Sequence, residues 1–83
     1  MLYFEEREQK IMMWARFILL SDKGRQPLTK KILVQSVADY VAHKEAYQQE
    51  AIIKICAFHR WTIKHLKGYG YNQIKVQFEE KEG

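Results

Sequence analysis

Ile52-Ile53-Lys54-Ile55-Cys56-Ala57-Phe58-His59-Arg60-Trp61-Thr62-Ile63-Lys64-His65-Leu66 is the stretch whose reading decides the fold class. Within it Ile52, Ile55, Cys56, His59, Ile63 and Leu66 recur at i, i+3, i+4, i+7 spacing, which predicts an amphipathic helix with that stripe turned to the core. Followed outward, the helix extends over residues 45–67. Tyr47, Ala51 and Phe58 make an adjacent apolar stripe, and Gly68 supplies the positive φ of a helix terminus.

Upstream, Thr29 suits an N-cap, with Leu28 and Leu33 as a hydrophobic staple. This predicts a helix over residues 30–43 that buries Leu33, Val37, Tyr40 and Val41. The competing expectation makes residues 31–35 a short strand, with Ser36 and Asp39 capping a helix that begins later. A break is expected between this helix and the next, because folding back buries more surface in a small domain. Residues 21–27 form a polar connector. Before it, Phe4, Ile11, Ala15 and Ile18 fall on one stripe of a helix predicted over residues 4–20. Trp14, Phe17 and Leu20 widen that stripe beyond half the circumference, so the helix needs more than one neighbour. A second copy of the chain is one way to supply it.

Downstream, residues 73–79 alternate: Ile74, Val76 and Phe78 face one way, Lys75, Gln77 and Glu79 the other. That is a half-buried strand. A lone strand leaves backbone groups unpaired, so its partner is either residues 1–5 or the same strand of a second copy. The predicted fold is thus mostly α, a single three-helix domain over residues 1–83 with a C-terminal β-strand.

Composition agrees with a folded chain: of 83 residues, 47% are hydrophobic and 13% aromatic, too many for a disordered tail. The single cysteine, Cys56, excludes an internal disulfide and fits a reducing compartment, so a cytoplasmic protein is expected. The apolar run over residues 11–20 is too short to span a bilayer, which takes about 20 residues, and acidic Glu5, Glu6 and Glu8 stand where a signal sequence would be basic.

Charge carries the functional hint. The net charge is +4, but residues 11–78 hold eleven basic against four acidic residues. Residues 51–78 contain Lys54, Arg60, Lys64, Lys67 and Lys75 and no acid at all. On a helix Arg60, Lys64 and Lys67 stand at i, i+4, i+7, a spacing that meets successive phosphates, with Trp61 and His65 beside them for sugar or base contact. The competing expectation is a solvated face whose late cations complement the helix dipole.

Lys67-Gly68-Tyr69-Gly70-Tyr71-Asn72-Gln73-Ile74 is similar to the signature of RNA-recognition-motif proteins, whose strand aromatics stack on bases. It departs at Asn72, where that family has an aliphatic residue, and at Ile74, where it has an aromatic one. A helix precedes the stretch and only nine residues follow Ile74, so the four-stranded fold does not come with the match. What remains is the stacking capacity of Tyr69 and Tyr71.

These features predict a small nucleic-acid-binding regulatory protein, with DNA ahead of RNA. Its expected contacts are Lys54, Arg60, Trp61, Lys64, Lys67, Tyr69, Tyr71 and Lys75. No helix-turn-helix signature is legible. The runner-up is an adaptor or inhibitor that binds protein through Met12, Met13, Trp14, Phe17 and Leu20, or through an open strand edge. Cys56 and His59 share a helix face, but His43 and His65 are not spaced to complete a metal site. With no phosphate loop, carboxylate pair or cofactor fingerprint, neither an enzyme nor a cofactor is expected.

Overall fold

Residues Met13–Ser21 alternate in burial, and that alternation overturns the predicted first helix. A computed structural model describes residues 12–80. In it Met13–Ser21 is strand β1, with Ala15, Phe17 and Leu19 buried on one face and Trp14, Arg16, Ile18 and Leu20 on the other. An apolar run that satisfies helical spacing satisfies period 2 equally well, so periodicity alone does not separate the two.

Strand β2, Leu28–Val34, pairs antiparallel with β1, matching Leu19 to Leu28 and Ala15 to Ile32. Strand β3, Tyr71–Glu80, pairs antiparallel with the other edge of β1, matching Leu19 to Ile74 and Ala15 to Phe78. The sheet order is β2-β1-β3. The mostly-α expectation is therefore corrected to an α/β fold, a three-stranded antiparallel sheet with helices on one face. The alternation of Ile74, Val76 and Phe78 was read correctly, but the strand's partner is β1, not a second copy. The alternative partner, residues 1–5, lies outside the described residues. With both neighbours of β1 supplied by the same chain, its backbone is satisfied without a dimer.

After β2, Ser36 caps helix α1, Val37–Ala42, its hydroxyl accepting the Asp39 amide at 3.0 Å. The strand-then-cap expectation is the one realised, with the strand beginning earlier. The helix predicted over residues 30–43 fails because Ile32 and Val34 alternate against β1. Of the residues it was to bury, only Tyr40 is covered; Leu33, Val37 and Val41 are exposed.

Helix α2, Lys44–His59, is followed by helix α3, Ile63–Gly68. The single predicted helix over residues 45–67 is thus broken. At the break Arg60 takes a left-handed conformation, φ 60° and ψ 38°. The Trp61 amide donates to the Cys56 carbonyl at 2.8 Å and the Arg60 amide to that of Ala57 at 3.2 Å. This is a Schellman terminus with arginine where glycine is usual. Thr62 then opens α3 through a capping box: its hydroxyl accepts the His65 amide, and His65 Nδ1 accepts the Thr62 amide.

Two packed clusters fill the space under the helices. One holds Ala15, Phe17, Ile32, Val34, Tyr40 and Ala51, with the Tyr40 ring 5.8 Å from Phe17 and 5.4 Å, edge-on, from Phe78. The other holds Leu19, Ile55, Cys56, Leu66 and Tyr71. Within the predicted long stripe, Ile55, Cys56 and Leu66 are core, whereas His59 is half-buried and Ile63 exposed. Phe58, expected on an apolar stripe, is 83% exposed.

Two outcomes test these local assignments. A left-handed non-glycine residue costs about 1–2 kcal/mol, so Arg60→Gly is expected to raise stability to denaturant by up to about 1 kcal/mol after the greater freedom of unfolded glycine is counted. At the α1 end, Asp39 accepts from the Tyr47 hydroxyl, the Gln35 amide and His43, which hold its carboxyl below the ordinary range. The stabilisation is complete above the unfolded carboxyl value of about 3.9 and is lost as pH falls through the lower native value. Melting temperature measured against pH should therefore fall less steeply in acid for Asp39→Asn than for the parent protein.

Candidate nucleic-acid interface

The turn between β1 and β2 carries Asp22, Lys23, Gly24 and Arg25, a run that the sequence presents only as a polar connector. In the fold this turn lies against α3 and the start of β3, more than forty residues away along the chain. The Asp22 amide donates to the Gly70 carbonyl at 3.0 Å, and Ser21 Oγ donates to the Tyr69 carbonyl at 2.7 Å. Lys23 Nζ donates to the Gly68 carbonyl at 3.1 Å, where it also meets the negative end of α3. Asn72 Nδ2 donates to Asp22 Oδ2 at 2.7 Å, and the Tyr71 hydroxyl donates to the Gln26 carbonyl at 2.7 Å.

These contacts bring Lys23 and Arg25 to the end of the molecule that already holds Arg60, Lys64 and Lys67. The local acid is Asp22; Asp39, Glu45 and Glu50 belong to α1 and the first half of α2, and Glu79 and Glu80 to the far end of β3. The described residues are therefore polarised, with a basic pole at the β1–β2 turn and α3.

Aromatic rings thread that pole. His59 stacks on Trp61, centroids 4.4 Å apart and planes inclined by 18°; Trp61 meets Tyr69 at 4.9 Å. The guanidinium of Arg25 lies 4.0 Å from the Tyr69 centroid and 5.9 Å from that of Trp61. The His65 ring lies 6.4 Å from that of Tyr69 with planes inclined by 18°, and Phe58 adjoins His59 edge-on at 5.0 Å. The arrangement presents cations and ring edges together, which is what a sugar–phosphate chain with adjacent bases requires.

The residues named from sequence divide accordingly. Arg60, Trp61, Lys64, Lys67 and Tyr69 are brought to the pole. Arg60 does not continue a helical row with the two lysines, since the chain turns at its own left-handed backbone. Tyr71 is a correction: it is buried in the core with its hydroxyl occupied, because the first residue of β3 points under the helices. Lys75 lies opposite Ile18, on the sheet face away from the helices. Lys54 pairs with Glu50 at 3.0 Å on α2. Sequence reading missed Lys23, Arg25 and Phe58. The signal for the first two was the Lys-Gly-Arg turn itself; for Phe58 there was none, because it sits at core spacing.

The proposed protein-binding face on residues 12–20 does not exist as one surface. Met13 and Phe17 point to the helices, with Phe17 fully buried, while Trp14 and Leu20 point the opposite way and Met12 precedes the strand. On that opposite face Glu79 accepts from Arg16 at 2.7 Å and sits 3.4 Å from Lys31, whose ammonium is 5.7 Å from the Trp14 centroid. The Arg16 guanidinium holds the Glu79 carboxyl below its usual range.

Cys56 is buried, and burial pushes its thiol up from the ordinary value, away from the thiolate that nucleophilic or metal chemistry needs. Among the described residues no three His, Cys, Asp or Glu side chains gather as a metal site, and no helix is long and apolar enough to cross a membrane. Comparison with protein-family models, curated proteins and solved structures finds no match to this chain.

Gly70 sets how closely the turn and α3 approach. Its φ is +86°, and a Cβ there would lie 2.5 Å from Asp22 Oδ1 and 2.8 Å from Lys23 Cγ. Gly70→Ala is expected to destabilise the fold by about 1–3 kcal/mol from backbone strain and crowding, read as a lowered denaturation midpoint. An unchanged midpoint would show that the turn does not pack against α3 as described.

Proposed function

We propose that this chain is a small basic nucleic-acid-binding regulatory protein that holds the phosphate backbone through Lys23, Arg25, Arg60, Lys64 and Lys67. One observation carries the proposal: two basic segments distant in sequence are hydrogen-bonded into one pole, with Trp61 and Tyr69 between them. A polyanion releases counterions when such a pole neutralises its phosphates, which drives binding without any sequence-specific contact. The role is binding rather than catalysis, since the Thr62 hydroxyl that lies beside His65 Nδ1 is engaged in the capping box of α3. Its setting is cytoplasmic, in keeping with a lone buried thiol.

Fluorescence anisotropy with labelled oligonucleotides, repeated over a series of salt concentrations, tests this. Affinity should fall linearly on logarithmic axes as salt rises. Lys64→Ala with Lys67→Ala should reduce the slope by about one unit per lysine without changing the fold. Binding that is undetectable at low salt, or insensitive to salt, would rule the proposal out.

A further inference from the structure

Phe58 is the most exposed large apolar side chain among the described residues, 83% accessible in the last turn of α2. It is not a stray surface residue. It borders a groove of about 270 Å³ between the start of β2 and the second half of α2. Leu28 and Ile55 give that groove an apolar lining, and Lys30 and Lys54 also border it, the Lys54 ammonium pairing with Glu50 at 3.0 Å. His59 lines the groove too, and its other contact is the stacked Trp61 of the basic pole. Groove and pole are therefore continuous through one imidazole.

A groove this small falls just under the ~300–1,000 Å³ of drug-sized pockets and suits a single flat ring. The Phe58 ring meets His59 only edge-on, planes inclined by 89°, and is otherwise open. Duplex bases are stacked on one another and offer such a ring nothing; an unpaired base offers it a π face. The cations beside the groove match the phosphates that flank such a base. Lys54 is held only by the exposed Glu50 pair, an interaction of small net worth that a phosphate can replace.

We infer that the nucleic acid is single-stranded, with one unpaired base stacking on Phe58 in the groove between β2 and α2 and its flanking phosphates meeting Lys30 and Lys54. The inference rests on the nucleic-acid proposal above and names the class of ligand. Trp61 already stacks on the His59 imidazole, centroids 4.4 Å apart, so it supports that ring at the edge of the groove.

The test compares oligothymidine, oligouridine and a matched DNA duplex binding to the full chain at one salt concentration. Single strands should bind about tenfold more tightly than duplex. Phe58→Ala should lower single-strand affinity about tenfold, the scale of one base–aromatic stack, while leaving the salt slope, duplex affinity and melting temperature unchanged. Phe58→Leu should behave like alanine, since it keeps apolar bulk without a π face, and Phe58→Trp should retain binding. The two single strands tell a DNA ligand from an RNA one. Duplex preference, or indifference to Phe58→Ala, overturns the base slot and leaves the nucleic-acid proposal standing. Loss of salt-dependent binding to all three oligonucleotides overturns both.

Discussion

β1 is hydrogen-bonded along both edges, and every other element takes its place from that double pairing. A central strand must find partners for all its backbone groups inside the fold. β2 and β3 supply them in registers that align Ala15 with Ile32 and Phe78, and Leu19 with Leu28 and Ile74. The same registers bring Ala15, Phe17 and Leu19 to one face, and that face is what the helices cover. A slip of one residue would turn Trp14, Arg16, Ile18 and Leu20 inward and bury a guanidinium. Arg16 and its partner Glu79 thus help explain why only one register is compatible with the core.

The second constraint is the reversal at Arg60. A continuous helix through Leu66 would carry α3 away from the sheet. The Schellman turn and the Thr62 cap instead bring Leu66 back beside Ile55 and Cys56, closing the second half of the core. Trp61 and Tyr69 are thereby placed where Arg25 can lie over them. The basic pole is a consequence of core packing: Leu66 and Tyr71 anchor α3 and β3, and the β1–β2 turn is bonded to the backbone between them.

Much of the local structure was legible. The alternation of Ile74, Val76 and Phe78 follows from spacing. The helix expected over residues 45–67 is present as α2 and α3 with a break between them, and the Ser36 cap was the competing expectation behind a Thr29 cap. The misreadings share a cause. Residues 12–20 are apolar at every position but Arg16, so they fit a wide helical stripe and both faces of a strand; only pairing decides between them. Arg60 hid the end of α2 because sequence signals look for glycine at a left-handed position, and they pointed to Gly68 where the positive φ falls at Gly70. Arg60, Trp61, Lys64, Lys67 and Tyr69, named from charge and aromatic content, fall together at the basic pole. Tyr71 was claimed by the core, and Phe58 was left outside it.

Cation-rich residues 51–78, too few acids to neutralise them and a single cysteine are properties of the chain that no fold can alter. They determined that one region would be basic and that no disulfide would brace it. Tertiary structure decided which cations stand together. Lys23 and Arg25 join Lys64 and Lys67 because the Asp22 amide finds its acceptor in Gly70, while Lys75 is turned to the opposite face of the sheet by the pleat of β3. Charge is additive along a sequence, but a binding surface depends on direction in space. Direction here is set by strand register and by one left-handed residue at the end of a helix.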